Sequence, residues 1–355
     1  MGIAMFLQIN LDALDGRQAR RTGSSSPLGQ LIDHVCDCMS MTAIAMMYWT
    51  VFGIENHSKV LPILAAVYAT FLTSTWEEYY LKVLELPMIN GPVEGCTFLS
   101  VASVLSGVYG REIWKTPIPY INIPFKEFIL YCVVVAGTST NISSILKVIR
   151  QKGLKPLNNL LIGYAVLYTG TWWIMEYPSS FINNTIAFSL LGFTVSNLVS
   201  RIVVNYMTGQ EYPRFILAFA PILAGLIVTI AKEKGVGLKI DIFHILFVGA
   251  LFNALLQATY LITVFSQVSN YLNISIFSIK RSNSNINDSK RESKRESRTS
   301  TPLKNGPIKS QKVTPIEKKI SSKTAPIVAK RMAERFQTTP LRSSPRLNRR
   351  KIQDE

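Results

Sequence analysis

The sequence predicts an all-α fold, a polytopic transmembrane helical bundle, on three observations. Charged residues make up only 17% of the 355-residue chain against 48% hydrophobic, where soluble domains carry about 25% charged residues. Charge is also segregated: of the net +16, the stretch Lys280–Glu355 holds +14, from 21 Lys and Arg against 7 Asp and Glu. Finally, the nearly neutral first 279 residues contain eight apolar stretches of spanning length. The chain therefore divides into a transmembrane domain, 1–279, and a basic tail, 280–355. That tail is rich in Ser, Thr, Pro, Lys and Arg and poor in aromatics, so it buries too little apolar surface to fold and is expected to be disordered.

A helix crosses a bilayer in about 20 mostly apolar residues, with its backbone polar groups satisfied inside the segment. Met1–Leu11 is apolar but spans only about 16 Å as a helix at 1.5 Å per residue, half of a core of about 30 Å. It reads as the stub of a span, and the expectation is an incomplete gene model or short isoform that inserts poorly. The complete stretches run at 33–53, 60–76, 92–110, 128–146, 157–175, 181–200, 215–231 and 242–265. Punctuating pairs such as Gly91-Pro92, Lys155-Pro156, Tyr177-Pro178 and Tyr212-Pro213 separate them. Trp76, Trp114, Trp172 and Trp173 fall near the expected helix ends, as an interfacial aromatic belt requires.

Eight crossings place the loop holding Arg17, Arg20 and Arg21 on the same side as the tail. Loops on that side carry ten cations against seven opposite, so the positive-inside bias puts that loop and the tail in the cytosol. The tail is expected to be dispensable for chemistry and to add affinity for anionic lipid. Phosphorylation at Thr301-Pro302, Thr314-Pro315, Thr339-Pro340 or Ser344-Pro345 would reverse that affinity.

Several classes are disfavoured. Cys36, Cys38, Cys96 and Cys132 lack paired CxxC spacing, so neither a zinc site nor a disulfide framework is expected. No basic segment precedes the apolar N-terminus, unlike a cleaved signal peptide. His57 and His244 sit at a loop and near a span end, where a surface or interfacial place is expected.

The chemistry concentrates in DALDGRQARRTGSSSPLGQLIDHVCD, residues 12–37. Asp12 and Asp15 are three apart and Asp33 and Asp37 four apart, so on helices each pair shows both carboxylates on one face. Brought together at the membrane edge, four carboxylates repel unless hard cations with oxygen ligands, Mg²⁺ or Mn²⁺, compensate them. Two such ions would bridge pyrophosphate oxygens. Gly16 and Gly29 leave room for close approach, Arg20 offers a planar fork to phosphate, and Pro27 favours a turn between the pairs.

These residues carry a resemblance. Asp15-Gly16, Ala19-Arg20, Gly29, Asp33 and Asp37 reproduce D-G-x2-A-R-x8-G-x3-D-x3-D, with Asp12 at an additional acidic position, and so resemble the CDP-alcohol phosphatidyltransferase family. TWEEY at Thr75–Tyr79, GPVEG at Gly91–Gly95, SRIVVNYMTGQEYP at Ser200–Pro213 and the exit YLNISIFSIKR look like its choline/ethanolamine phosphotransferase branch. The likeness covers about residues 8–281. It implies a helical membrane enzyme of the endoplasmic reticulum or Golgi with a cytosolic cavity. Phosphocholine or phosphoethanolamine would pass from CDP-choline or CDP-ethanolamine to diacylglycerol, releasing CMP.

By position, the resemblance makes Asp12, Asp15 and Asp33 metal ligands and leaves two roles for Asp37, fourth ligand or base for the acceptor hydroxyl. His34, in the same helical turn, is the rival base, and the residues do not decide between them. Gly16, Ala19, Arg20 and Gly29 would contact the CDP portion. Glu77, Glu78 and Glu94 flank two spans on the cytosolic side and are candidates for the headgroup or acceptor, with Trp76 or Tyr79 offering cation–π contact. Tyr206 stands where histidine is expected in this branch. Membrane lipid is an implied partner and nucleic acid is not; a homodimer is left open. Two other readings stand beside the leading one: a transferase using another acceptor such as inositol, and a noncatalytic homologue whose basic tail does the work.

Overall fold

The computed structural model describes residues 1–54, 57–82, 91–176, 181–214, 216–235 and 241–272, and among them every regular element is helical. The basic tail, its Ser/Thr-Pro steps, the chain past Leu272 and the Tyr177-Pro178 pair lie outside the described residues.

The first helix, α1 (Gly2–Thr22), does not stop at Leu11 but continues through both aspartates. It ends where Gly23 takes a left-handed conformation, φ 64°, and returns its N–H to the Ala19 carbonyl. Three residues later Ser26 caps α2 (Pro27–Val51) by accepting from the Gly29 N–H. Pro27, expected in the turn, instead occupies the first helical position, where its missing N–H costs nothing. The turn is the short segment before it.

There follow α3 (His57–Leu81), α4 (Gly91–Tyr109), a 3₁₀ turn (Arg111–Lys115), α5 (Phe125–Lys152), α6 (Lys155–Met175) and α7 (Phe181–Thr208). A second 3₁₀ turn (Leu217–Phe219), α8 (Ala220–Glu233) and α9 (Ile242–Leu272) complete the described chain. Each expected stretch thus falls on its own helix, except that 215–231 divides into the second 3₁₀ turn and α8. At 14 residues α8 is shorter than a straight crossing needs. Among the described residues, Phe125–Lys152, Ile182–Thr208 and Ile242–Asn270 are long and apolar enough to cross a membrane by length and composition.

These three are not equivalent in the bundle. The apolar window of α7 is 78% buried against 17% for α5 and 28% for α9, so α7 is a core helix and the other two show an apolar face outward. Val135, Ile142, Leu251, Leu255 and Ile262 lie on those outer faces, as lipid contact demands. The centre is built by α3 and α7: α3 packs on α5, α6 and α7, while α7 also packs on α2 and α9. Gly192 lets α7 reach α2 and α3. A β-carbon there would stand 2.1 Å from Thr42 Oγ1 and 2.6 Å from Tyr68 OH, which are hydrogen-bonded to each other. Polar side chains also tie α9 to α7: Asn253 Nδ2 donates to Thr194 Oγ1 at 2.9 Å, and Gln257 Nε2 to Ser200 Oγ at 2.8 Å. Such bonds in membrane bundles contribute about 0.6 kcal/mol each.

Candidate metal centre

The chain reverses at the Gly23–Ser26 turn, α1 packs on α4, and side chains bridge from α1 to α2, where Gln8 donates to Ser40 at 2.6 Å and Asp12 meets Asp33. Asp12 and Asp15 come from the middle of α1 and Asp33 from the second turn of α2. One carboxylate oxygen of each of the three lies within 4.8 Å of the others. Asp37, one turn further along α2, is half-buried and lies within electrostatic reach of Asp12, Asp33 and Asp15 but outside that trio.

The electrostatics are those of crowded like charges. Partial burial, and then the neighbouring Asp33 and Asp15, push the Asp12 carboxyl above its ordinary value of 3.8. A donor set of oxygens alone, converging from two helices and opposed to its own ionisation, fits a hard divalent cation. Around it, Arg20 lies over Gly16: a β-carbon there would sit 3.5 Å from the guanidinium Nη1. Ala19 accepts the capping N–H of Gly23 and the N–H of Ser24, and Gly29 donates to Ser26, so both also hold the helix ends that present the carboxylates.

The acidic residues of α3 follow a different pattern. Glu78 faces α2, where its Oε1 accepts from Gln30 Nε2 at 3.1 Å and its Oε2 lies 3.6 Å from His34 Nε2. Burial raises the Glu78 carboxyl, while His34 and Lys82 oppose that shift. Glu77 points the other way, fully buried, to Lys147 of α5 at 3.3 Å. Trp76 donates its indole N–H to the Pro156 carbonyl on α6, and Tyr80 accepts from Asn159, which accepts in turn from Arg214. Tyr79 donates to the Gln210 carbonyl at 2.6 Å. Consecutive residues of one motif thus bind α2, α5, α6 and the segment after α7, which explains its density of polar side chains.

One expectation needs correcting here. Trp76 is completely buried with its edge against Tyr80, so its face is closed to any ligand. Tyr79 does make a cation–π contact, but with Lys82, whose Nζ lies 4.7 Å from its ring and 4.6 Å from that of Tyr206. Glu94 is exposed in the first turn of α4. His244 is exposed, its ring edge-on to Phe243; nothing is described of the His57 side chain. Sequence reasoning passed over Gln30, Lys82 and Lys147. Gln30 sits four residues before His34, one turn back on the same face of α2, and that spacing was the available signal.

Residues 1–104 match the family described as CDP-alcohol phosphatidyltransferase. Over 313 residues the chain is 28% identical to choline/ethanolaminephosphotransferase 2 of Arabidopsis thaliana, covering 79% of this chain and 78% of the relative. It is 27% identical over 311 residues to choline/ethanolaminephosphotransferase 1 of Saccharomyces cerevisiae (79% and 77%). With cholinephosphotransferase 1 of Xenopus laevis it shares 28% identity over 295 residues (78% and 70%). The family and these relatives are enzymes.

Proposed function

From a chain that carries a CDP-alcohol phosphatidyltransferase domain, we propose the transfer of phosphocholine or phosphoethanolamine from the CDP-alcohol to diacylglycerol, with release of CMP. The observation that carries this reading is the convergence of Asp12, Asp15 and Asp33 from two helices onto one point. In this reading the site faces the cytosol from a membrane of the endoplasmic reticulum or Golgi, all eight apolar stretches lie in the bilayer, and 280–355 is a separate basic tail.

Asp12, Asp15 and Asp33, with Asp37 one turn further along α2, would hold Mg²⁺ or Mn²⁺, two ions in all. When bound, such cations neutralise charge on the pyrophosphate oxygens and on departing CMP. Arg20, whose guanidinium lies over Gly16, binds phosphate by its fork. In the transfer step the acceptor hydroxyl oxygen bonds to the phosphorus bearing the aminoalcohol. The bond from that phosphorus to the bridging oxygen breaks, and its electron pair leaves with CMP. The hydroxyl proton passes to a base on α2, for which we favour Asp37: it lies outside the carboxylate trio, whereas the His34 Nε2 is turned to Glu78. His34 and Glu78 together brace the turn of α2 that bears Asp33.

The test supplies membranes containing the full chain with diacylglycerol, divalent metal, and CDP-choline or CDP-ethanolamine labelled in the headgroup. Label entering chloroform-soluble phospholipid in step with CMP supports the reading. Absence of transfer from both donors, with the protein inserted, overturns it in favour of a noncatalytic homologue. Transfer of the phosphatidyl group to inositol from CDP-diacylglycerol would establish another acceptor.

A further inference from the structure

Lys82 closes α3 in an unusual way. Its backbone takes the left-handed conformation, φ 64°, that favours glycine, and its N–H returns to the Glu78 carbonyl. A residue with a β-carbon persists in that conformation only where its surroundings hold it. What holds this one is its ammonium: Nζ donates to the Tyr79 carbonyl at 2.6 Å and lies between the Tyr79 and Tyr206 rings, within cation–π range of both. Two helices, α3 and α7, thus supply two aromatic faces and one carbonyl acceptor to a single cation.

One wall of this cage is fixed independently of its occupant. Tyr79 is anchored through its hydroxyl to Gln210 and packed edge-on against Tyr80 and Tyr212, with ring centroids 5.0 and 5.2 Å away. The cage also adjoins the carboxylate centre through a continuous path of side chains. Asp33 neighbours His34, His34 faces Glu78, and Glu78 lies within electrostatic reach of Lys82. A substrate with an anionic end at the aspartates and a cationic end would direct the latter along that path.

We propose that the Tyr79–Tyr206 cage is the binding site for the substrate's alkylammonium group, and that Lys82 is its resident competitor, which the incoming headgroup must displace. The chemistry suits both kinds of headgroup. A primary ammonium can take over the Tyr79 carbonyl that Lys82 uses, and a trimethylammonium, which cannot donate a hydrogen bond, is held by the two faces. The competitor reduces the apparent affinity for the donor by the fraction of time it occupies the cage. This inference rests on the proposed aminoalcohol transfer.

The test measures KM for CDP-choline and CDP-ethanolamine, and the inhibition constant of CMP, on the full chain in lipid nanodiscs. Lys82→Met is expected to lower KM for both donors at least fivefold while the CMP constant stays within about twofold, because CMP has no ammonium. Lys82→Gly, which also relieves the left-handed backbone and guards against misfolding of the Met variant, should do the same. Tyr206→Leu added to Lys82→Met should raise KM again. An unchanged or raised KM in both Lys82 variants, with the thermal midpoint retained, overturns the inference. So does a parallel rise in the CMP constant, which would make Lys82 a phosphate contact. If wild type turns over neither donor, the functional reading itself has failed and this inference falls with it.

Discussion

Glu78 on α3 reaches His34 on α2, with Oε2 lying 3.6 Å from Nε2 while its other oxygen accepts from Gln30. One carboxylate therefore grips two successive turns of the helix that carries Asp33 and Asp37. The charged form is the better acceptor for Gln30, where hydrogen bonds to charged groups contribute about 1.5–3 kcal/mol, and it holds His34 by electrostatic attraction.

Glu78→Gln removes that charge at constant size. Loss of about 1.4 kcal/mol of positioning corresponds to roughly tenfold in rate. The expected result is a kcat lowered about tenfold with a smaller change in KM, seen in steady-state CMP release. An unchanged kcat would mean that the grip on α2 is irrelevant to the chemistry.

Metal removal should act through Asp12. Its folded-state pKa is raised above the ordinary 3.8 by burial and by Asp33 and Asp15, so without metal the folded state binds more protons than the unfolded chain between 3.8 and that raised value. Stability is then lost as pH rises through this window and stays reduced above it. A bound divalent cation cancels the repulsion. Mn²⁺ should therefore raise the thermal midpoint by several degrees at pH 7 and by much less near pH 4. A shift of equal size at both pH values would contradict this origin.

Lys147 and Glu77 form a pair whose carboxylate is buried. Breaking such a pair leaves an uncompensated charge; with Lys147 itself 34% exposed, the cost should be about 2 kcal/mol, below the range for fully buried pairs. Lys147→Met should lower the thermal midpoint in lipid nanodiscs. Adding Glu77→Gln should recover most of the loss, since the orphaned charge is then gone. Additive losses would refute the pairing.

Apolar length in the sequence was enough to place α2 to α7 and α9, because a run such as 128–146 admits no other bilayer-compatible structure. Ends were less legible. The α1 helix runs past Leu11 because the polar stretch to Thr22 keeps a helical backbone until Gly23 stops it, and periodicity says nothing of that stop. The carboxylate trio could be anticipated from spacing, since Asp12 and Asp15 share a helix face and Asp33 lies in the second turn of the next helix. The partners of the Thr75–Tyr80 segment could not. Glu77 and Glu78 are adjacent in sequence yet point to different helices, and only tertiary packing decides that Lys147 meets one and His34 the other. Lys82 was hidden for the same reason, as its second tyrosine lies on α7.

The most direct test compares metal-dependent CMP release by wild type and Asp33→Ala, each inserted in membranes with diacylglycerol and either CDP-aminoalcohol. Asp33 belongs to the trio from α1 and α2 but to no expected apolar packing contact, so its loss removes charge compensation and spares the bundle. Wild type is expected to release CMP in a reaction that EDTA abolishes, and the variant to lose at least a hundredfold at equal insertion. Activity of Asp33→Ala within a fewfold of wild type would contradict that expectation.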